Sequence, residues 1–356
     1  MDLVLYDPEH GYYSQHQTAI GSRGDFFTSV SLGADFGELL AVQLVQMWEI
    51  LGCPQPFEVV EMGAGDGDLA RDILNYLNQN APDVSTQIRY LIIERAPGKL
   101  AQQQAKLQDY PVQWLTWDKL ELDSLQGCCL ANELVDAFPV HRVVVREGQL
   151  QEIYVTVQDG QLQETVGMLS TEAIATYFSD LNLDLSTYPE GYCTEVNLAA
   201  IAWLETVASK LRQGYLLTID YGYSSDRYYH PQRHQGTLQA YYQHRRHNDP
   251  YVNLGQQDLT AHVNFTALEQ YGQNVGLEKL GFTQQGLFLM ALGLGDRLND
   301  LSSGAYDIQT VFKRRDALHQ LIDPAGLGNF GVLVQGKGLN DEQQQASLQG
   351  FKMPAF

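Results

Sequence analysis

Residues Val59-Val60-Glu61-Met62-Gly63-Ala64-Gly65-Asp66-Gly67-Asp68 join an apolar run of strand length to the start of a helical pattern, and this junction constrains the fold more than any other stretch. Glycine lets the chain turn tightly and lets the backbone approach a ligand without interference from a Cβ, while the first N–H groups of the following helix face that ligand. The context is that of a nucleotide-binding turn. A dinucleotide site would read G-x-G-x-x-G; here Asp68 stands at the third glycine position and the pattern is G-x-G-x-G.

The rest of the chain repeats the alternation that begins at this junction. Short apolar runs at Phe57–Met62, Tyr90–Ile93, Gly127–Ala131 and Tyr215–Ile219 alternate with helical patterns at Leu69–Leu77, Ala96–Leu107 and Val196–Leu211. Such alternation predicts a parallel sheet covered on both faces. Ahead of it, Phe36, Leu39, Leu40, Leu44, Met47 and Trp48 form one face of a helix between Leu32 and Leu51. Val143–Arg146 and Ile153–Val157 flank Glu147-Gly148-Gln149 as a hairpin that interrupts the alternation. Gly286–Leu292 and Phe330–Val334 are expected to be the last two strands, and the Gln343–Gln345 run with its polar neighbours a mobile tail.

The expected organisation is a helical, cofactor-covering segment over 1–52 and the first half of the core over 53–139. A hairpin and helical insertion follows over 140–190, then core again over 191–222, an irregular insertion rich in Tyr, His and Arg over 223–265, the end of the core over 266–340 and a tail over 341–356.

Charge restricts the partners. Lys and Arg total 22 against 43 Asp and Glu, a formal net charge of −21, whereas a protein that neutralises phosphates needs a basic face. Nucleic acid is therefore not expected. No uninterrupted apolar run reaches the length that spans a bilayer, so no membrane insertion is expected. Met1–Gly11 lacks the basic segment and apolar run of a signal peptide. The four cysteines form no C-x-x-C pair, and the histidines have no metal-like spacing. The expectation is a reduced, cytoplasmic protein without a metal, with an isologous homodimer as the default assembly.

Glu61, Asp66 and Asp68 make a poor cradle for pyrophosphate but suit a cofactor that is cationic and carries no phosphate, and S-adenosylmethionine is such a molecule. Its ribose diol needs a carboxylate acceptor at the end of the next strand. Glu94 occupies that place after Tyr90–Ile93, and Asp118, after Val112–Leu115, is a candidate acceptor for the adenine amino group. Gly63, Gly65 and Gly67 are the loop candidates, and Glu61 a cofactor-side carboxylate or an acceptor for the loop's own N–H groups.

Several further stretches resemble the MidA-like methyltransferases, the group that contains the mitochondrial complex I assembly factor acting on arginine. They are Leu5-Tyr6-Asp7-Pro8-Glu9-His10-Gly11-Tyr12-Tyr13, Gly24-Asp25-Phe26-Phe27-Thr28-Ser29, Phe36-Gly37-Glu38-Leu39-Leu40, Asn132-Glu133-Leu134-Val135-Asp136-Ala137-Phe138-Pro139-Val140, Asp220-Tyr221-Gly222, Gly236-Thr237-Leu238 and Asp258-Leu259-Thr260-Ala261-His262-Val263-Asn264-Phe265. The resemblance covers nearly the whole chain. It implies a class I methyltransferase (Rossmann-like) fold, a seven-stranded mostly parallel α/β sheet with an antiparallel strand near one edge and family-specific insertions. It also implies methylation of a protein arginine, on a subunit of a respiratory or NADH-dehydrogenase-like complex. Where the family has Pro-Glu after Thr-Ser, this chain has Val30-Ser31, so no role for that glutamate carries over.

An arginine acceptor is protonated at neutral pH, so carboxylates must hold it, orient one nitrogen and take its proton. Asn132 and Glu133, at the end of the fourth strand, are the first candidates, with Asp136 one turn further and His262 as a candidate proton acceptor. Each has a structural alternative: Glu133 a helix-start carboxylate, Asp136 a cap or buried acid, His262 a hydrogen-bonding core residue. Gly24–Ser29, with Thr28, is expected to close over the cofactor. Arg227, Arg233, Arg245 and Arg246 form a local basic patch in an acidic chain, read first as a solvated irregular loop, with docking of an acidic or aromatic protein surface, or of RNA against the net charge, as alternatives. A small-molecule methyltransferase, and an assembly or docking factor that binds the cofactor without much catalysis, remain alternatives at this level.

Overall fold

The computed structural model describes residues 1–14, 28–243 and 245–353. Its central sheet has seven strands, β1 (Phe57–Met62), β2 (Ile88–Ile93), β3 (Val112–Leu115), β4 (Leu125–Asn132), β5 (Leu211–Asp220), β6 (Glu278–Gln284) and β7 (Gly331–Lys337). They run in the order β6-β7-β5-β4-β1-β2-β3. Only β7 is antiparallel, to β5 on one side and β6 on the other.

Successive side chains of a strand point to opposite faces, and β1, buried along its whole length, feeds two cores. Phe57 and Val59 pack with Leu40, Leu44, Ile73 and Leu77 of helices α1 (Asp35–Ile50) and α2 (Asp68–Asn80). Val60 and Met62 pack on the other face with Leu204, Val207 and Leu268, from helices Leu198–Lys210 and Phe265–Asn274. A strand buried on both faces needs the near-continuous apolar run that made β1, β2, β4 and β5 visible in the sequence. Strand order reverses between β1 and β4, which opens a crevice beyond their carboxyl ends.

The predicted hairpin is present, with Glu147 (φ 53°) and Gly148 (φ 68°) both left-handed as a two-residue turn of this hand requires. It belongs to a four-stranded antiparallel sheet that also takes in Gln161–Gly167 and, past the boundary expected at 190, Cys193–Val196. The stretch expected to be irregular contains a three-stranded sheet of Gln239–Tyr242, Arg245–His247 and Asp258–Thr260.

Two expectations at the carboxyl end are corrected. Gly286–Leu292 is not a strand: Gln285–Ala291 is a helix that buries Phe288 and Leu289, and the edge strand is Glu278–Gln284. A short apolar run does not by itself separate strand from buried helix, and an edge strand with exposed Lys279 and half-buried Thr283 carries no such run. The expected mobile tail is docked over its residues 341–351. Asn340 caps Asp341–Gln345, and the N–H groups of Gln349 and Gly350 donate to Oε1 of Gln46 (2.7 Å) and Gln43 (2.9 Å). No helix among the described residues is long and apolar enough to cross a membrane.

Candidate active site

A cavity of about 440 Å³ lies at the carboxyl ends of β1, β2 and β4. The glycine loop forms its floor, with Gly63, Gly65 and Gly67 at φ values of 70°, 53° and 81°. A Cβ at Gly63 would approach Leu134 Cδ1 to 2.8 Å. Gly63 and Gly65 line the cavity, whereas Gly67 does not and starts α2 instead.

Glu94 lines the cavity at the end of β2. Its Oε1 accepts the Ala96 N–H (2.8 Å), and its Oε2 accepts Gln103 Nε2 (2.9 Å). Gln103 also donates to the Gly65 carbonyl (2.9 Å) and receives Trp114 Nε1–H (3.1 Å), so one side chain ties the glycine loop to the carboxylate. Burial raises the Glu94 pKa. Glu61 also lines the cavity, where it accepts the Tyr90 hydroxyl (2.7 Å) and burial pushes its pKa up to about 7. Beside the loop, the nearly buried Lys99 meets Asp66 at 2.7 Å.

The opposite wall is the end of β4. Glu133 is left-handed (φ 49°), a conformation a non-glycine residue keeps only where its surroundings over-determine it. Its N–H donates to the Ile219 carbonyl (2.8 Å), and its Oε1 accepts the Ser29 N–H (3.1 Å) and Asn132 Nδ2 (3.3 Å). Burial, reinforced by the Asp136 carboxylate, pushes its pKa up to about 8. The Asn132 Oδ1 is buried without a hydrogen-bond partner among the described residues. Tyr6, Tyr13, Phe138 and Trp203 supply aromatic walls.

The remaining candidates are dispersed. Asp136 is buried behind the cavity wall, beside Asp220 and Asp258, and these neighbours together with burial raise its pKa. Asp118 is exposed and off the cavity; Thr116 and Trp117 line that end instead. His262 is also off the cavity, against Tyr221 and Tyr223 at 4.8 and 5.0 Å. Burial drives its pKa down to about 4, so it is neutral. Thr28 lines the cavity within a turn in which its Oγ1 accepts the Ser31 N–H (3.2 Å), while Gly24–Phe27 lie outside the described residues.

The sequence did not single out Lys99 or Gln103, because neither belongs to a motif. Tyr6, Tyr13, Asp220 and Asp258 stood inside the family-like stretches without an assigned role. Asp220 has a clear one: its carboxylate accepts the N–H groups of Val135 (2.9 Å), Asp136 (3.3 Å) and Tyr221 (2.9 Å), which fixes the turn behind Glu133.

A seven-stranded sheet in this order, with a glycine loop after β1 and a carboxylate after β2, defines a class I methyltransferase fold. Residues 39–283 match the family model described as "Putative S-adenosyl-L-methionine-dependent methyltransferase", and the chain belongs to this family. It is 30% identical to the Drosophila melanogaster "Protein arginine methyltransferase NDUFAF7 homolog, mitochondrial", over 95% of this chain and 80% of that protein. It is 26% identical to the Mus musculus "Protein arginine methyltransferase NDUFAF7, mitochondrial", over 100% of this chain and 84% of that protein. A Burkholderia thailandensis protein, crystallised with bound S-adenosyl-homocysteine, superposes with a TM-score of 0.85 at 32% identity, covering 98% of this chain and 88% of that one. The protein is an S-adenosylmethionine-dependent methyltransferase, and the family resemblance read from its motifs holds.

The site fits that cofactor. The orphaned Asn132 Oδ1 is an acceptor suited to a cationic amino group, and Glu94 to a ribose diol. When bound, S-adenosylmethionine supplies a sulfonium methyl group for displacement.

Proposed function

We propose that the chain methylates a side-chain nitrogen of arginine in a protein, with Glu133 holding the guanidinium. The observation that carries this reading is the Glu133 carboxylate, half-buried at the cavity wall and hydrogen-bonded only by the Ser29 N–H and the Asn132 amide among the described residues. A carboxyl largely withdrawn from water and without a cation tends to keep its proton; a guanidinium brings the missing charge and a planar set of donors. The names of the relatives agree with this acceptor.

Each residue then has a chemical task. Glu94 binds the cofactor's hydroxyls, Asn132 its amino group, and the aromatic walls exclude water from the reacting atoms. Glu133 orients one guanidinium nitrogen toward the methyl group and accepts the proton that this nitrogen must lose. The expected acceptor is a subunit of a respiratory or NADH-dehydrogenase-like complex.

The test is labelled-methyl transfer into an extract of a strain that lacks this protein, whose acceptor is unmethylated. Glu133→Gln is expected to abolish labelling of a protein band while S-adenosyl-homocysteine still binds by calorimetry. Undiminished labelling by this variant would overturn the assignment.

A further inference from the structure

About half of the cations in this acidic protein are paired with carboxylates among the described residues. Arg71, Arg89, Arg142, Arg297 and Arg314 each hold a carboxylate. Arg227, Arg233, Arg245 and Arg246 form no ion pair among the described residues, and three of them, Arg227, Arg233 and Arg246, act on the same imidazole, that of His262. The guanidinium groups of Arg227 and Arg233 both sit 4.4 Å from the centre of the Tyr223 ring. Tyr223 stacks on His262, whose ionisation is suppressed first by burial and then by Arg233, Arg246 and Arg227. Asp226, next to Arg227, accepts the Ser224 hydroxyl, and that hydroxyl first and Arg227 with it hold the carboxyl below its usual range, so it offsets part of the positive charge here. Arg227, Arg233 and Arg246 converge on the Tyr223–His262 pair and Arg245 precedes Arg246 on the strand, a local concentration of positive charge in a chain of net charge −21.

This patch adjoins the acceptor side of the cavity. Tyr13 lines the cavity and donates its hydroxyl to Asp258 Oδ1 at 2.8 Å. Asp258 pairs across the three-stranded sheet with Tyr241, and Tyr241 with Arg246. Two strand spacings make about 10 Å, the reach of about three residues of extended peptide. Arg245–His247 is an edge strand of that sheet, and a strand edge offers alternating backbone N–H and C=O groups that an extended peptide can pair with as an added strand.

We propose that Arg227, Arg233, Arg245 and Arg246 form a docking site for an acidic segment of the protein substrate, a few residues from the arginine that enters the cavity. The inference rests on the reading of the acceptor as a protein. A short acidic peptide is preferred over RNA because the chain's net charge of −21 opposes any polyanion long enough to extend beyond the four arginines.

The test is fluorescence anisotropy on the full chain saturated with S-adenosyl-homocysteine. The probe is a fluorescein-labelled peptide with three glutamates, one glycine and one arginine, compared with the same peptide carrying glutamines. The acidic peptide is expected to bind about tenfold more tightly than the glutamine one. Arg245→Gln with Arg246→Gln should weaken it about fivefold, as the loss of two exposed charge contacts implies. Lys313→Gln with Arg315→Gln, on exposed positions of the helix Ile308–Ile322, changes net charge equally and should leave binding unchanged. Equal binding of the two peptides, equal losses in both double variants, or a single-stranded RNA decamer binding more tightly than the acidic peptide would overturn the proposal. Failure of the arginine reading is distinguishable: peptide binding would still depend on Arg245 and Arg246, but no labelled arginine would form.

Discussion

Glu133→Gln has a second consequence that can be worked from the structure without knowing the acceptor. The folded protein holds the Glu133 carboxyl up to about 8, against an ordinary value of 4.5, because the group is buried and faces Asp136. Between these two values the unfolded chain has lost the proton that the folded chain keeps. Folding therefore binds a proton across this window, and stability falls as pH rises from about 4.5 to about 8. At roughly 1.4 kcal/mol per pKa unit the ceiling is about 5 kcal/mol, and relaxation with water entry leaves a few kcal/mol. Glutamine fills nearly the same space and does not titrate. Thermal melts of the cofactor-free proteins should show the wild type losing ground to the variant between pH 5 and 8.5, by about 5 °C. Parallel curves for the two proteins would refute the burial argument. The same ionisation must occur before Glu133 can hold a guanidinium, so wild-type turnover should rise through this range, with an onset lowered by the nearby sulfonium charge.

Three other variants probe the site. Glu94→Ala should weaken S-adenosyl-homocysteine binding by about 1.5–3 kcal/mol in calorimetry, the worth of a hydrogen bond to a charged group; unchanged affinity would remove Glu94 from the cofactor site. Gln103→Ala, which breaks the tie between Gly65 and Glu94, should raise the dissociation constant about tenfold without touching the cavity surface, and no change would mean that the tie is dispensable. His262→Gln should lower the melting temperature yet leave the shape of the pH–rate profile intact, because the imidazole is already neutral above pH 5; loss of a titration near neutrality would restore His262 as a proton acceptor.

What could be read from the sequence follows from burial. Strands β1, β2, β4 and β5 are packed on both faces, so their apolar runs are local signals. The glycine loop is legible because left-handed backbone at Gly63, Gly65 and Gly67 restricts the residue type. Glu94 and Glu133 are legible because strand ends place them, and strands had been located first. The edge strand Glu278–Gln284 was not, since its exposed side carries polar residues, and the adjacent helix borrowed its apparent signal. Asp118 and His262 illustrate a different limit. Position after a strand or within a motif does not say which way a side chain points, and Thr116 and Trp117 face the cavity where Asp118 faces solvent. Gln103 and Lys99 act through partners distant in sequence, which no local pattern records.

The central claim is that methyl groups pass from the cofactor to an arginine held by Glu133. Its most direct test is tandem mass spectrometry of protein labelled by the wild-type enzyme with a deuterated-methyl cofactor in extract from the deletion strain. The account predicts the label on an arginine side-chain nitrogen, and its absence when Glu133→Gln is used. Label on lysine or on a carboxyl group, or label confined to small molecules, would contradict it.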